Sequence, residues 1–328
     1  MFLGDPHNFG RRVELRGGVI HKPRTVVWEW LMLSKASPLR RFLGREFDFL
    51  PSLAIDRRRG LVERLQLQPL RGRQDELAAI VGKTLALWAW LGVADLHWEN
   101  MALGRDGEGR IVFGPLDIEM MFGDMRLPTE TKLIPEADPE YGEELRRAAG
   151  VRRALAHLGT PIRGPHLVAI VMAYRATLEF LDHHTKTIAR LVSPFDDAPI
   201  RLLLRATSDY GKDPVPWPPL LDCESEQMAR GDVPYFFRLR GKRGIRYFTD
   251  ARLRTVGFAA APTEPLLPRS LRSPSRRVLR EQGTLAVIGA FDHPSLTGKH
   301  GPITLGKRIV FEDLACPRNL RAIVGSVY

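Results

Sequence analysis

The sequence predicts an α+β fold with a small strand-bearing N-terminal part, residues 1–74, and a large, mostly helical part, residues 75–328. Three observations carry that expectation. The N-terminal residues alternate and turn as strands do, the apolar residues from Asp75 onward recur at helical spacing, and further helical patterns fill the chain beyond residue 139.

Taken in order, residues 1–24 read as a short hairpin. Arg11-Arg12-Val13-Glu14-Leu15 alternates, Gly17-Gly18 turns, and Val19-Ile20-His21-Lys22 returns before Pro23. A helix over Val26 to Ser37 puts Trp28, Leu31 and Met32 on one side. Residues 38–73 are rich in arginine and show no clear period, with Phe42, Phe47 and Phe49 as their apolar anchors. Asp75 then caps a helix through Leu77, Ile80, Val81, Leu85, Trp88 and Leu91, on which Trp88 and Trp90 are core residues. That helix ends near Gly92 and runs into Asp95. Met101 to Leu103, the glycine-rich turn Gly104 to Gly109, and Ile111 to Phe113 make a second hairpin. Helices follow at about 139–158, 165–191 and 220–230, with proline-rich linkers at Asp213 to Pro219 and Pro262 to Pro274. A strand over Leu285 to Ile288 and a helix over Phe311 to Val324 close the chain.

Composition narrows the class. Hydrophobic residues at 44% and charged residues at 27% suit a soluble globular chain. Met1-Phe2-Leu3-Gly4-Asp5 meets a charge too early for a signal peptide, and the apolar run Leu85 to Ala94 is about half the length that crosses a bilayer. A cytoplasmic location without a membrane partner is therefore expected. Cys223 and Cys316 are too few for a disulfide framework or a cysteine-rich zinc site and read as reduced structural thiols. The net charge of +11 favours a partner bearing negative charge. With no zinc finger, RNP aromatic pattern or basic helical repeat, nucleic acid is not the expected one. His183 and His184 are adjacent on a helix and so point to different faces, which argues against a ligand pair.

The stretch from Asp95 to Glu119 carries the chemistry. Asp95 stands just after the helix, Asn100 enters the hairpin, and the returning strand brings Asp117 back beside both. Oxygen donors gathered this way suit Mg²⁺, which takes a few carboxylates plus phosphate oxygens. The spacing Asp-x-x-x-x-Asn followed by a later Asp is that of the kinase catalytic loop, with Asp95 free to take a hydroxyl proton. No His-Arg precedes Asp95, Asp-Ile-Glu stands in place of Asp-Phe-Gly, and no Gly-x-Gly-x-x-Gly loop occurs near the N-terminus. An ordinary protein kinase is thereby excluded. Lys22, at the end of a strand, is the candidate contact for nucleotide phosphates.

With these residues in place, the chain resembles the dehydratase domain of class II (LanM-type) lanthipeptide synthetases, from Gly4 nearly to the C-terminus. Gly4-Asp5-Pro6-His7 is similar to the family's Gly-Asp-x-His. Val19-Ile20-His21-Lys22-Pro23-Arg24 is similar to its Val-Tyr-Lys-Pro-Arg, with His21 in place of tyrosine. Asp95-Leu96-His97-Trp98-Glu99-Asn100 matches Asp-x-His-x-Glu-Asn, and Asp117-Ile118-Glu119 matches Asp-x-Glu. Arg201 to Thr207, followed by Tyr210, matches Arg-x-x-x-Arg-x-Thr and its tyrosine, and Gly231 to Phe236 matches Gly-Asp-Ile-Pro-x-Phe.

The resemblance implies a bilobal, kinase-like fold similar to lipid kinases, with a reduced small lobe. It also implies ATP-dependent phosphorylation of Ser or Thr in a precursor peptide, followed by elimination of phosphate to dehydroalanine or dehydrobutyrine. Carried over by residue, Asp95, His97, Asn100, Asp117 and Glu119 belong to phosphorylation, with Asn100 and Asp117 as Mg²⁺ ligands and Lys22 on the ATP phosphates. Arg201 and Thr207 belong to elimination. Asp5 and His7 face the same site, and the step they serve stays open. The Gly-Asp-x-His motif starts at residue 4 and no cyclase motif follows, so a partner protein is expected to supply leader binding or ring formation. Two alternatives stand beside this one: a kinase that stops at the phosphate, and a non-catalytic binding module of the same fold.

Overall fold

Alternation at the N-terminus does build strands, one more than expected. In the computed structural model, β1 (Phe2–His7), β2 (Arg11–Arg16) and β3 (Val19–His21) run antiparallel in succession. The structure describes residues 2–72, 74–123, 127–135, 146–159, 162–204, 207–210, 221–240, 242, 244–250, 252, 254–258, 276–291, 303–305, 309–312 and 321–324. The helix expected to reach Ser37 stops earlier, as α1 (Val27–Leu33), and α2 (Pro38–Leu43) starts afresh. Ser37 separates them: its hydroxyl donates to the Leu31 carbonyl at 2.6 Å and accepts from the Arg40 amide at 3.3 Å, a cap with proline behind it. Phe47 and Phe49 are buried as expected, with Phe42 packed at the core's edge. β4 (Ile55–Asp56) and β5 (Leu61–Glu63) complete the sheet in the order β1-β2-β3-β5-β4. Such short strands have no room to show a period, which is why residues 38–73 gave no assignment.

α3 (Glu76–Leu91) is apolar almost all round and is correspondingly buried, Trp88 and Trp90 included. Asp75 does not cap it. That residue has helical backbone angles, and its carboxylate instead binds Arg163 at 2.6 Å and His166 at 2.8 Å. The second hairpin forms as expected, β6 (Met101–Arg105) against β7 (Ile111–Pro115). The helical pattern at 139–158 appears as α4 (Arg152–Leu158), and residues 136–145 lie outside those described. α5 (Gly164–His183) lies along α3 so closely that a Cβ on Gly82 would sit 2.1 Å from the Ile170 carbonyl oxygen. α6 (Thr185–Val192) follows a break at His184, whose ring packs against Phe42 and Phe180 while His183 is exposed.

β8 (Pro199–Leu202) opens a second sheet, and α7 (Thr207–Tyr210) and α8 (Asp222–Ala229) follow it in the chain. β9 (Phe236–Leu239), β10 (Ile245–Phe248) and β11 (Thr255–Phe258) complete that sheet in the order β11-β10-β9-β8. Both proline-rich linkers, Arg205, Arg243 and Cys316 lie outside the described residues, while Cys223 is a free, half-buried thiol.

Two C-terminal expectations are corrected. Leu285 to Ile288 is not a strand but belongs to α9 (Arg276–Gly289), which packs on α5 through the Tyr174 hydroxyl and the Leu279 carbonyl at 2.9 Å. A short continuous apolar run cannot separate strand from buried helix. Nor does a helix span Phe311 to Val324. β13 (Ile309–Glu312) pairs with β12 (Ile303–Leu305) and with β14 (Arg321–Val324). Ile309-Val310-Phe311 and Ile323-Val324 are β-branched and aromatic, and Pro317 between them opposes a continuous helix.

The result is a mixed α+β fold with antiparallel sheets. No helix among the described residues is long and apolar enough to cross a membrane. α3 ends at Gly92 in the left-handed conformation (φ 63°), where a Cβ would meet the Gly123 carbonyl oxygen at 2.3 Å. Gly92→Ala is therefore expected to destabilise the protein by roughly 1–3 kcal/mol, through backbone strain and this clash. Urea unfolding should show a lower midpoint with an unchanged slope.

Candidate functional site

The end of α3 places the candidate loop. Beyond Gly92 the backbone of residues 91–94 pairs with that of residues 120–123. Phe122 donates to the Leu91 carbonyl at 2.8 Å, Gly123 to Gly92 at 2.9 Å, and Ala94 to Met120 at 3.1 Å. Asp95 then takes a left-handed conformation (φ 65°), uncommon outside glycine. Asn100 closes the loop, its Nδ2 donating to the Asp95 carbonyl at 2.8 Å. The Leu116 amide donates to the Asn100 carbonyl at 2.9 Å, so the far strand of the hairpin delivers Asp117 beside Asn100. The Arg201 amide donates to the Glu119 carbonyl at 2.9 Å and adds β8 to the group. Asp95, Asn100, Asp117, Glu119 and Arg201 consequently line one cavity, with Ala94 and Met120.

Behind Asp117 lies a compact charge cluster. Lys22 Nζ donates to Asp117 Oδ1 at 3.0 Å, to Glu29 Oε1 at 3.0 Å and to the Leu116 carbonyl at 3.2 Å. Arg24 binds Glu29, Asp117 and Glu119, the last at 2.8 Å. Burial alone would push the Asp117 carboxyl up; Lys22 and Arg24 overcome it and hold that carboxyl far below the usual carboxylate range. Burial would likewise lower Lys22 and Arg24, yet the surrounding carboxylates raise both, so Lys22, Arg24 and Asp117 are charged at neutral pH. The turn carrying Lys22 rests on Gly60, whose carbonyl accepts the Lys22 amide at 2.8 Å.

The N-terminal hairpin packs beside Arg201, and its His7 lies outside the cavity lining. Asp232, with a fully enclosed side chain, accepts the amides of Phe9 and Gly10, each at 2.8 Å, and Val233 donates to the Pro6 carbonyl at 2.9 Å. This clamp brings His7 to Arg201. His7 Nδ1 lies 2.7 Å from the Val233 carbonyl, which can only accept, so Nδ1 carries the proton. Nε2, 3.5 Å from an Arg201 nitrogen, is then a lone pair. Burial, and next the Arg201 charge, lower the His7 pKa. The Tyr235 ring packs under the Arg201 guanidinium at 5.2 Å and edge-on to His7 at 5.8 Å. Arg201 also binds Glu119 at 3.1 Å.

Not every expected residue joins the cavity. His97 sits 3.8 Å from Glu99 and neither lines it. Thr207, half-buried at the start of α7, is also outside the lining, and Asp5 is exposed on β1. Lys22, expected at nucleotide phosphates, is instead enclosed by Glu29 and Asp117. Arg240 and Lys242, in a basic turn, pair with Asp196 and Asp197. Three residues were missed as site residues. Glu29 stands on the first helix after a strand-end lysine, the order of the Lys–Glu pair in kinases, and that order was available as a signal. Arg24 lay within a quoted motif. Lys132, 2.8 Å from Asp95 Oδ1, comes from a separate loop and had no sequence signal.

The donor set has a limited fit to Mg²⁺. Among the described residues no group of three or more His, Cys, Asp or Glu side chains is placed to hold a metal. Asn100 and Asp117 do present hard oxygens at one cavity, which fits a cation arriving with phosphate oxygens rather than one caged by the protein. No protein-family model matches the chain, and no curated protein matches it.

Glu29 is fully buried against two cations, so its removal takes a carboxylate from each and leaves Asp117 shared between them. Glu29→Ala is expected to cost roughly 3–5 kcal/mol. Glu46→Ala, which breaks the exposed pair with Lys83, should cost at most about 1 kcal/mol in the same denaturation assay.

Proposed function

We propose that this chain is a dehydratase of the class II lanthipeptide synthetase type, with a bilobal kinase-like fold, acting on Ser or Thr of a precursor peptide. One observation carries the reading: the residues matched to phosphorylation, Asp95, Asn100, Asp117 and Glu119, line the same cavity as Arg201, matched to elimination. A two-step reaction needs that meeting, since the phosphate attached in the first step is the leaving group of the second.

In the first step Asp95 accepts the proton of the peptide hydroxyl as its oxygen bonds to the terminal phosphorus of ATP, and ADP leaves. Asn100 and Asp117 would hold Mg²⁺, which when bound neutralises phosphate charge. Lys22 and Arg24 keep Asp117 ionised, and Glu29 holds those two cations in place. In the second step a base removes the Cα proton, that electron pair forms the Cα–Cβ double bond, and the C–O bond breaks to release phosphate. His7 Nε2 is the base best supported by geometry, because its tautomer is set by Val233 and its neighbour Arg201 can receive the departing phosphate. Asp5, two residues before His7 on β1, opposes the lowering of the His7 pKa through its charge.

A kinase that stops at the phosphate has one observation in its favour: Thr207 lies outside the cavity lining. Mass spectrometry of a Ser/Thr/Cys-rich precursor encoded beside this chain, incubated with protein, ATP and Mg²⁺, separates the two. Loss of water by wild type, with phosphate retained by Arg201→Met and elimination slowed at least about a hundredfold, is the expected outcome. Phosphate retained by wild type as well would establish the kinase.

The His7 assignment predicts a pH profile. Its pKa is lowered from 6.5 by burial and then by the Arg201 charge, so Nε2 keeps its lone pair to lower pH than a free imidazole does. Elimination from a synthetic phosphopeptide should show an acidic limb displaced to lower pH than that of a free imidazole. In His7→Gln that acidic limb should disappear along with most of the rate.

A further inference from the structure

We propose that Lys132 is the residue that meets the transferring phosphoryl group, exchanging its bond to Asp95 for one to the terminal phosphate of a nucleoside triphosphate. The proposal rests on the phosphoryl-transfer reading above and supplies a phosphate contact in place of Lys22, which Glu29 and Asp117 enclose.

Among the described residues, four cations bond to the carboxylates that line or back the cavity: Lys22, Arg24, Arg201 and Lys132. The first three are enclosed, with side chains 7%, 10% and 12% exposed. Lys22 and Arg24 each touch at least two carboxylates, and Arg201 holds Glu119 above the Tyr235 ring. Moving any of them would strand buried charge. Lys132 differs: its side chain is 58% exposed, and its carboxylate partner is Asp95, itself 33% exposed. Exposed ion pairs contribute little, so this bond is readily exchanged for a more highly charged partner.

The backbone aims this side chain. Lys132 has φ 65°, a left-handed conformation that a lysine seldom adopts, and it is bonded on both sides. Its amide donates to Thr129 at 2.9 Å, and its carbonyl accepts Gly150 at 3.0 Å. The preceding carbonyl, of Thr131, accepts the Leu96 amide at 2.9 Å, which ties the turn to the loop bearing Asp95. The ammonium and the candidate base thus belong to one bonded unit, whatever the rest of the cavity does.

The exchange has a chemical consequence. While Lys132 donates to Asp95 Oδ1 at 2.8 Å, that oxygen is occupied. When Lys132 turns to the phosphate, Asp95 is released to take the hydroxyl proton. The hydroxyl oxygen then bonds to phosphorus, the bond from phosphorus to the bridging oxygen breaks, and the nucleoside diphosphate leaves with that electron pair. Base activation is thereby coupled to the presence of a terminal phosphate.

Isothermal titration tests this without any peptide. Wild type, Lys132→Met and Lys132→Arg are titrated with Mg²⁺ and either a non-hydrolysable ATP analogue or ADP. Lys132→Met should weaken the triphosphate about tenfold, leave ADP unchanged, and keep the thermal midpoint of wild type. Lys132→Arg should recover most of the difference. If Lys132→Met changes neither nucleotide, or both equally, Lys132 does not meet the terminal phosphate, though the phosphoryl-transfer reading survives. If wild type binds neither nucleotide, that reading and this proposal fall together.

Discussion

The ion cluster of Lys22, Arg24, Glu29 and Asp117 is the interaction on which the remainder of the site depends. It joins a strand end, the first helix and the residue after the second hairpin. An isolated buried charge is prohibitive, so each member requires the others, and the cluster forms as a unit or not at all. Its functional consequence is that Asp117 stays an anion at the cavity wall. Counting outward, the carboxylates Glu29, Asp95, Asp117 and Glu119 are matched by Lys22, Arg24, Arg201 and Lys132. Opposite charges let these groups stand close together.

A second constraint works at longer range. Asp232 has no chemical role in the proposed reaction, yet its buried carboxylate caps the turn at Phe9 and Gly10. The neighbouring Val233 backbone then holds Pro6 and His7. The N-terminal strand is thus fastened to the segment entering β9, more than two hundred residues later, and His7 reaches Arg201 as a result. Tyr235, two residues beyond Val233, supplies the aromatic floor for the same pair.

Much of this was readable from residue order, where local periodicity was strong or a motif forced convergence. α3 was plain because sixteen residues of helical spacing end at a glycine, and the hairpin after it because a glycine-rich turn separates two apolar runs. Asp95, Asn100, Asp117 and Glu119 followed from that scaffold. Arg201 followed only from the family resemblance, since nothing local connects β8 to Glu119. What stayed hidden depended on partners distant in sequence. β4 and β5 exist through pairing with β3, not through propensity. Leu285 to Ile288 is helical because α5 offers a face to cover, and β13 and β14 are strands because each has the other. Lys132 is invisible for the same reason: its role is set by a turn hydrogen-bonded to Leu96, and no spacing records that contact.

The proposed reaction needs Asp117 and its neighbours to form a site for nucleotide phosphates with Mg²⁺. Thermal unfolding of wild type and Asp117→Asn, with ATP alone, Mg²⁺ alone and both together, tests this. Wild type is expected to gain stability only when both are present, by an increment that grows with their concentration and vanishes in Asp117→Asn. An equal increment in both proteins, or none in wild type, would contradict it.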